Sequence, residues 1–405
     1  MSQKYFVTRH QDAIVTALYE DDKVIELDCE PESGQSILGN IYVGRVRDIV
    51  KNINAAFVEI QKNVLCYYSL TENTNHIFTK KASGSKLLQG DEIIVQISKE
   101  PVKTKPATCS SHINLTGKYA ALVADNGRSG VSTKISEPQR GHLKKLAASF
   151  ETEAYSFVVR TNAKSATDEQ ICEELLRLKE QYEQLVCIGS HRTLYSVLHR
   201  QEPLYIQKLQ ALYTDKITDI ITDVPEYYEE MQTAIQNSQQ ELQNCLQFYS
   251  DNGYSLWNLH SLEKQFKEAL GKKVWMKSGA YLIVEHTEAM HVIDVNTGKF
   301  TGKRNSEDTY LKINLEAARE VARQIRLRNL SGMILVDFID MKQSDNTEQL
   351  VRTLSTELKK DPISTSFIDI TKLGIVEITR KKTRKPLYET AGSLSLLPLK
   401  GQNGE

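Results

Sequence analysis

The chain has 405 residues, 51 Lys+Arg against 52 Asp+Glu, a formal charge of −1, and 40% apolar and 25% charged residues. That length exceeds one comfortable hydrophobic core, and that composition excludes a chain disordered throughout. No apolar run approaches the ~18 residues of a membrane span, and the start MSQKYFVTRHQDAI lacks a signal-peptide pattern, so no membrane partner is expected.

In chain order, residues 1–35 alternate apolar and polar positions in YFVTRH, AIVTALYE and KVIELD, which predicts a small hairpin sheet. Over 36–119, NIYVGRVRDIV, AAFVEI, VLCYYSL and DEIIVQIS read as short strands with Gly breaks, the pattern of a small barrel. Between 120 and 209 a strand YSFVVR (155–160) precedes an amphipathic helix starting near Thr167 or Asp168. Residues 226–250 are Gln/Glu-rich and predicted helical. The C-terminal block alternates strands and helices: YLIVEH, AMHVID, a helix from about 309 to 329, GMILVDFID, another helix, then FIDI and GIVEITR. From Lys381 the chain is basic, then Gly/Ser/Leu-containing, and is expected to be poorly ordered.

The near-zero total charge is an average over blocks. Residues 1–35 carry −5, 36–119 carry +5, 120–209 carry +1, 210–272 carry −6 and 273–405 carry +4. A polyanion responds to the local surface, so neutrality does not exclude nucleic acid. The six cysteines (Cys29, Cys66, Cys109, Cys172, Cys187, Cys245) form no C-x-x-C pair. Disulfide scaffolding and a cysteine zinc site are not expected, and a reducing cytoplasm fits.

The sharpest chemical signal lies in the C-terminal block. In HVIDVNTGKF an apolar strand ends at Asp294, with Asn296 two residues on; in SGMILVDFIDM a second ends at Asp337, with Asp340 three residues on. An Asp after a strand is ordinarily a turn or cap residue. Here Ser344, Asp345 and Asn346 already supply caps for the next helix, leaving Asp337 and Asp340 without that task. Carboxylates at two strand ends suit a magnesium ion, which takes hard oxygen ligands and keeps several waters. Between them, Leu311, Leu315, Ala318, Ala322 and Ile325 give a helix one apolar face. Arg319, Arg323 and Arg326 lie on another face with Arg328 beyond, a row that is either solvated or placed to position a polyanion. GKFTGKRNS fails the Walker spacing, which excludes a P-loop NTPase, and His286 and His291 flank a turn in structural or exposed positions. In the barrel segment, Arg45, Arg47, Lys51, Phe57, Tyr67, Tyr68, Lys103 and Lys105 mix cations with π-faces, as single-stranded nucleic acid requires.

The run HVIDVNTGKF…NLEAAREVARQIRLRNLSGMILVDFIDM resembles the catalytic signature of the ribonuclease E/G family of endoribonucleases over more than fifty residues. GNIYVGRV and NAAFVEI are similar to that family's OB-fold RNA-binding domain, and LTGKYAALV and FVVRTN to its 5′-sensor region. The resemblance implies an α+β multidomain chain. An RNase H-like domain (1–35 and 210–272) is interrupted by an OB-fold barrel (36–119) and a 5′-sensor region (120–209), followed by a DNase I-like catalytic domain (273–390) and a tail (391–405). It implies Asp294 and Asp337 as ligands of Mg²⁺, with Mn²⁺ as a substitute, and Asn296 at the scissile phosphate. RNA contacts fall on Phe57, Tyr67 (where the family usually has Phe), Lys105 and Arg380. The 5′-monophosphate pocket falls on Gly117, Arg160 and Thr161, with Ala121 in place of a family Val. Family members commonly continue into a C-P-x-C motif that shares zinc between protomers. No cysteine follows Cys245 here, so structural zinc and a zinc-linked dimer are not expected, and a homo-oligomer of another kind stays open.

The expected activity is Mg²⁺-dependent cleavage of single-stranded RNA in RNA processing and decay, favouring 5′-monophosphorylated substrates. Two alternatives stay open on sequence alone: a non-catalytic RNA-binding or scaffold protein, and a metal-dependent phosphodiesterase acting on DNA or small nucleotides.

Overall fold

The computed structural model describes residues 2–32, 36–80, 86–101, 105–125, 127–212, 216–238, 240–251, 253–298, 306–394 and 396. The chain forms two compact units, Met1–Gly34 with Thr214–Glu405, and Gln35–Tyr213. Its class is mixed α+β, with four sheets among the described residues.

The first unit begins with the meander β1 (Gln3–His10), β2 (Ala13–Glu20) and β3 (Lys23–Pro31). Glu20 pairs with Lys23 across a two-residue loop, and both loop residues, Asp21 and Asp22, have positive φ (47° and 65°). That is the type I′ hairpin geometry, whose twist matches the flanking strands and which Asp tolerates better than most residues.

In the second unit, β4 (Ile41–Val50), β5 (Ala55–Gln61), β6 (Val64–Ser69), β7 (Glu92–Lys99) and β8 (Thr108–Ser110) pair in the order β4-β5-β6-β8-β7. A further β4–β7 pairing closes them into an OB-like five-stranded barrel. Its inside is filled by Val46, Val58, Ile60, Cys66, Tyr68, Ile93 and Val95. A second sheet comprises β9 (Asn114–Thr116), β10 (Ala120–Val123), β11 (Gly130–Val131) and β12 (Ser156–Val159), ordered β11-β12-β10-β9. Its first strand starts at Asn114. Helices α1 (Glu137–Ala148) and α2 (Asp168–His191) supply its apolar cover, with Leu143, Ile171, Leu175 and Leu178 in one core. The start of α2 is set by a capping box in which Thr167 and Gln170 exchange side-chain and backbone bonds. Strand β13 (Val197–His199) joins β4, and α3 (Leu204–Ala211) follows.

The chain then returns to the first unit. β14 (Ile217–Thr222) runs parallel to β1, and β15 (Leu246–Phe248) parallel to β14, so residues far apart in sequence complete one sheet, β15-β14-β1-β2-β3. Helix α4 (Pro225–Ser238) ends before the full 226–250 helix expected; a 3₁₀ turn and β15 follow because the segment must re-enter the sheet. After α5 (Leu256–Leu259) and α6 (Leu262–Leu270), the last sheet is built from β16 (Lys273–Trp275), β17 (Tyr281–His286), β18 (Met290–Asn296), β19 (Gly332–Asp337), β20 (Thr365–Ile370) and β21 (Val376–Arg380). Their order is β16-β17-β18-β19-β21-β20.

One face of this sheet packs on α7 (Ser306–Leu327) and α8 (Ser344–Leu358). The buried stripe of α7 is Ile313, Ala317, Ala318, Val321 and Ile325, turned from the expected Leu311/Leu315/Ala318/Ala322/Ile325 face. The rotation follows from α7 also facing β3, where Arg323 donates to the Val24 carbonyl at 2.7 Å. The described part of the tail differs from expectation too; residues 395 and 397–405 lie outside the described residues. Leu387–Ser393 forms α9, and Leu387, Ala391 and Leu396 are buried in the core with Val15, Leu27 and Phe266. Burying two apolar side chains of the turn and Leu396 beyond it favours order against the entropy cost, which composition alone did not reveal.

Candidate active site

Strand alternation sorts β18 into Ile293 and Val295, which face the core, and Asp294 and Asn296, which face the open side. β19 runs parallel to β18 in a register that sets Asp294 directly opposite Asp337. Asn296 Nδ2 donates to Asp294 Oδ2 at 2.6 Å, fixing that carboxylate. The Asp337 carboxyl titrates above the usual carboxylate range, first from loss of hydration and then from repulsion by Asp294 and Asp340. Asp340 is exposed and close enough to Asp337 to contribute to that shift.

The loop that follows β19 is held by α7. The buried Asn314 carboxamide bonds both backbone groups of Ile339, and Glu307 accepts from the backbone N–H groups of Lys342 and Gln343 and from Asn346 Nδ2. Those donors, Gln343 first, keep the Glu307 carboxyl below its ordinary range. Neither Asn314 nor Glu307 was singled out from sequence. The available signal was Asn314 itself, an amide on the apolar side of a helix, where only a satisfied polar group is tolerated.

Two like-charged carboxylates in register, with the Asp337 pKa raised by lost hydration and then by repulsion from Asp294 and Asp340, form a donor set that a hard divalent cation would relieve. Among the described residues no three His, Cys, Asp or Glu side chains converge as a metal site. Asp294 and Asp337 by themselves offer hard oxygen donors, the ligand type a divalent cation such as magnesium or calcium takes.

The sequence-derived arginines end elsewhere. Arg323 is tied to Glu320 and to Val24, Arg326 Nε donates to Glu26 at 2.7 Å, and buried Arg328 donates to Gln324. Only Arg319 of that row is exposed. The row is thus mainly a set of ties around α7, two of them to β3, and not a polyanion-binding strip. Arg380, expected at RNA, is 3% exposed. Its Nε donates to Asp361 at 2.7 Å and its Nη1 to Asn329 at 2.7 Å, so its charge is balanced inside the protein. His286 and His291, opposite each other on β17 and β18, approach at 3.0 Å between Nδ1 atoms, and His286 stacks on Tyr388 at 4.3 Å.

On the barrel, Phe57 (β5) and Tyr67 (β6) are register partners and meet edge to face at 6.3 Å, both half-buried. Lys105 is exposed; Lys103 lies outside the described residues. Tyr68 is buried and donates to Ser111 Oγ at 2.9 Å, so it is barrel core and not a stacking face. Arg45 and Arg47 pair with Glu92 and Glu59.

Gly117, Arg160 and Thr161 do come together. The Arg160 guanidinium donates to the Gly117 carbonyl, Arg160 N–H to the Tyr119 carbonyl at 2.7 Å, and Thr161 Oγ1 meets Ser132 Oγ at 2.9 Å. The same turn is cradled by Glu174 of α2, whose carboxylate accepts from the N–H groups of Lys118, Tyr119 and Ala120 at 3.0, 2.6 and 2.8 Å. A Cβ at Gly117 would lie 2.5 Å from that carboxylate, which explains the glycine. Ala121 is buried opposite Val158.

Comparison with known proteins gives the chemistry a context. A family model described as the Ribonuclease E/G family matches residues 114–383. The chain is 32% identical over 382 residues to Ribonuclease G of Haemophilus influenzae, covering 92% of this chain and 78% of that protein. It is 32% identical over 373 residues to Ribonuclease G of Escherichia coli, covering 89% and 76%. It is also 32% identical over 393 residues to Ribonuclease E of Synechocystis sp., covering 95% and 57%.

Proposed function

The chain belongs to the ribonuclease E/G family, and from that premise we propose a magnesium-dependent endoribonuclease that cuts single-stranded RNA and favours 5′-monophosphorylated ends. As a family member it is an endoribonuclease, a hydrolase acting on RNA in RNA processing; the ion, the end preference and the residue roles are the proposal. The carrying observation is the register pairing of Asp294 with Asp337 on an open sheet face, with Asn296 bonded to Asp294.

Asp294 and Asp337 would hold the ion, Mg²⁺ or in its place Mn²⁺, whose chemistry when bound is to polarise the scissile phosphodiester and acidify an attacking water. Asn296 holds the Asp294 carboxylate and reaches from the same strand end toward the scissile phosphate. Asn314 and Glu307 keep the Asp337–Gln343 loop in one arrangement, so the carboxylates need not reorganise on binding. Phe57 and Tyr67 offer π-faces to unstacked bases and Lys105 a cation to the backbone. Gly117, Arg160 and Thr161 form the pocket for the 5′-phosphate, as a guanidinium beside hydroxyl and backbone donors suits a phosphate monoester. Products would carry 5′-phosphate and 3′-hydroxyl ends. In this reading β15-β14-β1-β2-β3 is the RNase H-like part, the barrel binds RNA, the β9–β12 sheet senses the 5′ end, and the last sheet is the DNase I-like catalytic domain. The work would be done in the cytoplasm.

Incubating labelled single-stranded RNA and single-stranded DNA of one sequence with Mg²⁺ or with EDTA tests the reading. RNA should be cut and EDTA should stop it. Binding without EDTA-sensitive cutting would assign a scaffold role instead, and preferential DNA cutting a DNA phosphodiesterase.

A further inference from the structure

The open face of the last sheet carries a second group of side chains beside the carboxylates. On β16, Val274 faces the core while Lys273 and Trp275 project to the other side. The antiparallel register places Trp275 opposite Tyr281, and Tyr281 opposite Asn296. Two residues further along each strand, Lys273 lies opposite Ile283, Ile283 opposite Asp294, and Asp294 opposite Asp337. Two transverse rows on one face therefore run from Lys273 and Trp275 to the candidate active site. Trp275 and Asn296 are two strands apart, roughly 10 Å at the usual inter-strand spacing.

The side chains of this group are organised. Trp275 and Tyr281 meet at 5.2 Å between centroids with an interplanar angle of 60°, and Lys273 Nζ stands 4.0 Å from the Trp275 ring centre and 3.7 Å from that of Tyr281. Trp275 is nevertheless 63% exposed. A single exposed apolar residue needs no explanation. An exposed indole held by a tyrosine and a cation, in the row that ends at Asn296, does. A protein core would bury the indole; an unstacked base would use its open face, with the ammonium beside it for the adjoining phosphate.

Resting on the endoribonuclease reading, we infer that Trp275, Tyr281 and Lys273 form a stacking subsite for an unpaired base of the RNA next to the scissile phosphate. The ligand class is a single-stranded RNA base, received without hydrogen-bond readout and hence tolerant of base identity. The subsite raises affinity for cleavable RNA at the catalytic face, and Trp275 acts by binding, not in the chemical step.

The test uses the full chain. The sequence has two tryptophans, and the other, Trp257, is 4% exposed, so emission that responds to RNA reports on Trp275. In an Asp294→Asn background, adding single-stranded RNA should quench that emission, and an RNA with an abasic spacer at the nucleotide beside the cleavage site should not. Trp275→Ala should raise KM for RNA roughly 5- to 100-fold with a smaller change in kcat, and Trp275→Phe should recover most of the affinity. Unchanged emission together with unchanged KM in Trp275→Ala, while Asp294-dependent cutting persists, would overturn the subsite alone. No cutting of RNA by the wild-type chain would overturn both readings. A Trp275→Ala variant that loses self-association in sedimentation, with its KM intact, would assign the patch to a second copy of the chain and overturn the subsite.

Discussion

The carboxamide of Asn314 exchanges two hydrogen bonds with the backbone of Ile339, Nδ2 donating to its carbonyl at 2.8 Å and Oδ1 accepting from its N–H at 3.0 Å. The clamp falls between Asp337 and Asp340, so a helix side chain sets the path of the loop that carries the acidic groups. Asn314→Leu would leave both backbone groups unpaired, at about 1–3 kcal/mol. Thermal unfolding should register that loss. We further expect kcat to fall on the order of 10- to 100-fold with little change in KM, because misplacing the loop affects geometry more than RNA affinity. A kcat equal to wild type in a destabilised variant would show that the clamp is structural only.

Asp294→Asn or Asp337→Asn should lower cleavage roughly 100-fold or more, given the several kcal/mol a bound metal contributes. Binding of RNA, measured by filter retention, should survive. Wild-type cleavage by either variant in Mg²⁺ would refute the assigned ligands.

His286 titrates at about 4, against an ordinary value of 6.5, because of lost hydration and then the neighbouring His291 and Arg328, opposed by Glu285. Between those two values the unfolded chain binds more protons at this ring than the folded chain. Stability from this group is therefore present above about 6.5 and lost as pH falls toward about 4. His286→Phe keeps an aromatic ring against Tyr388 without the titration. Melting temperatures of the two proteins across that window should diverge, the wild type falling more steeply; parallel curves would refute the account.

Arg160→Ala should erase any faster cutting of 5′-monophosphorylated over 5′-hydroxyl RNA, since it removes the guanidinium that lies over Gly117. Initial rates on the two substrates check this. Equal rates already in the wild type would sink the sensor while leaving the catalytic pair untouched.

Arg380→Met should destabilise the fold by about 3–5 kcal/mol, because the buried Asp361 carboxylate, though it keeps its bonds from Ile363 N–H and Thr365, would lose the guanidinium that balances its charge. Denaturant titration measures this. RNA affinity should hold within roughly twofold at a temperature where the variant is folded. A large loss of RNA affinity without loss of stability would restore the RNA role expected from sequence.

Local pattern carried a good part of this molecule. Apolar runs placed Asp294 and Asp337 at the ends of strands, and the start of α2 was expected near Thr167 or Asp168, because strand pattern and helix onset depend on neighbours within a few residues. Phe57 and Tyr67 were legible as aromatic positions for the same reason. Periodicity cannot say which strand lies beside which. The parallel register that brings Asp294 to Asp337, the antiparallel one that lines up Trp275, Tyr281 and Asn296, and the return of β14 beside β1 all arise from pairing across long sequence separations. Charge is where sequence misled most. Arg323 and Arg326 looked like contacts for a polyanion, yet Val24 and Glu26 meet them in the fold, and Arg380 has Asp361 against it. A cation's role depends on which acceptor packs against it, and packing joins residues that the chain keeps far apart.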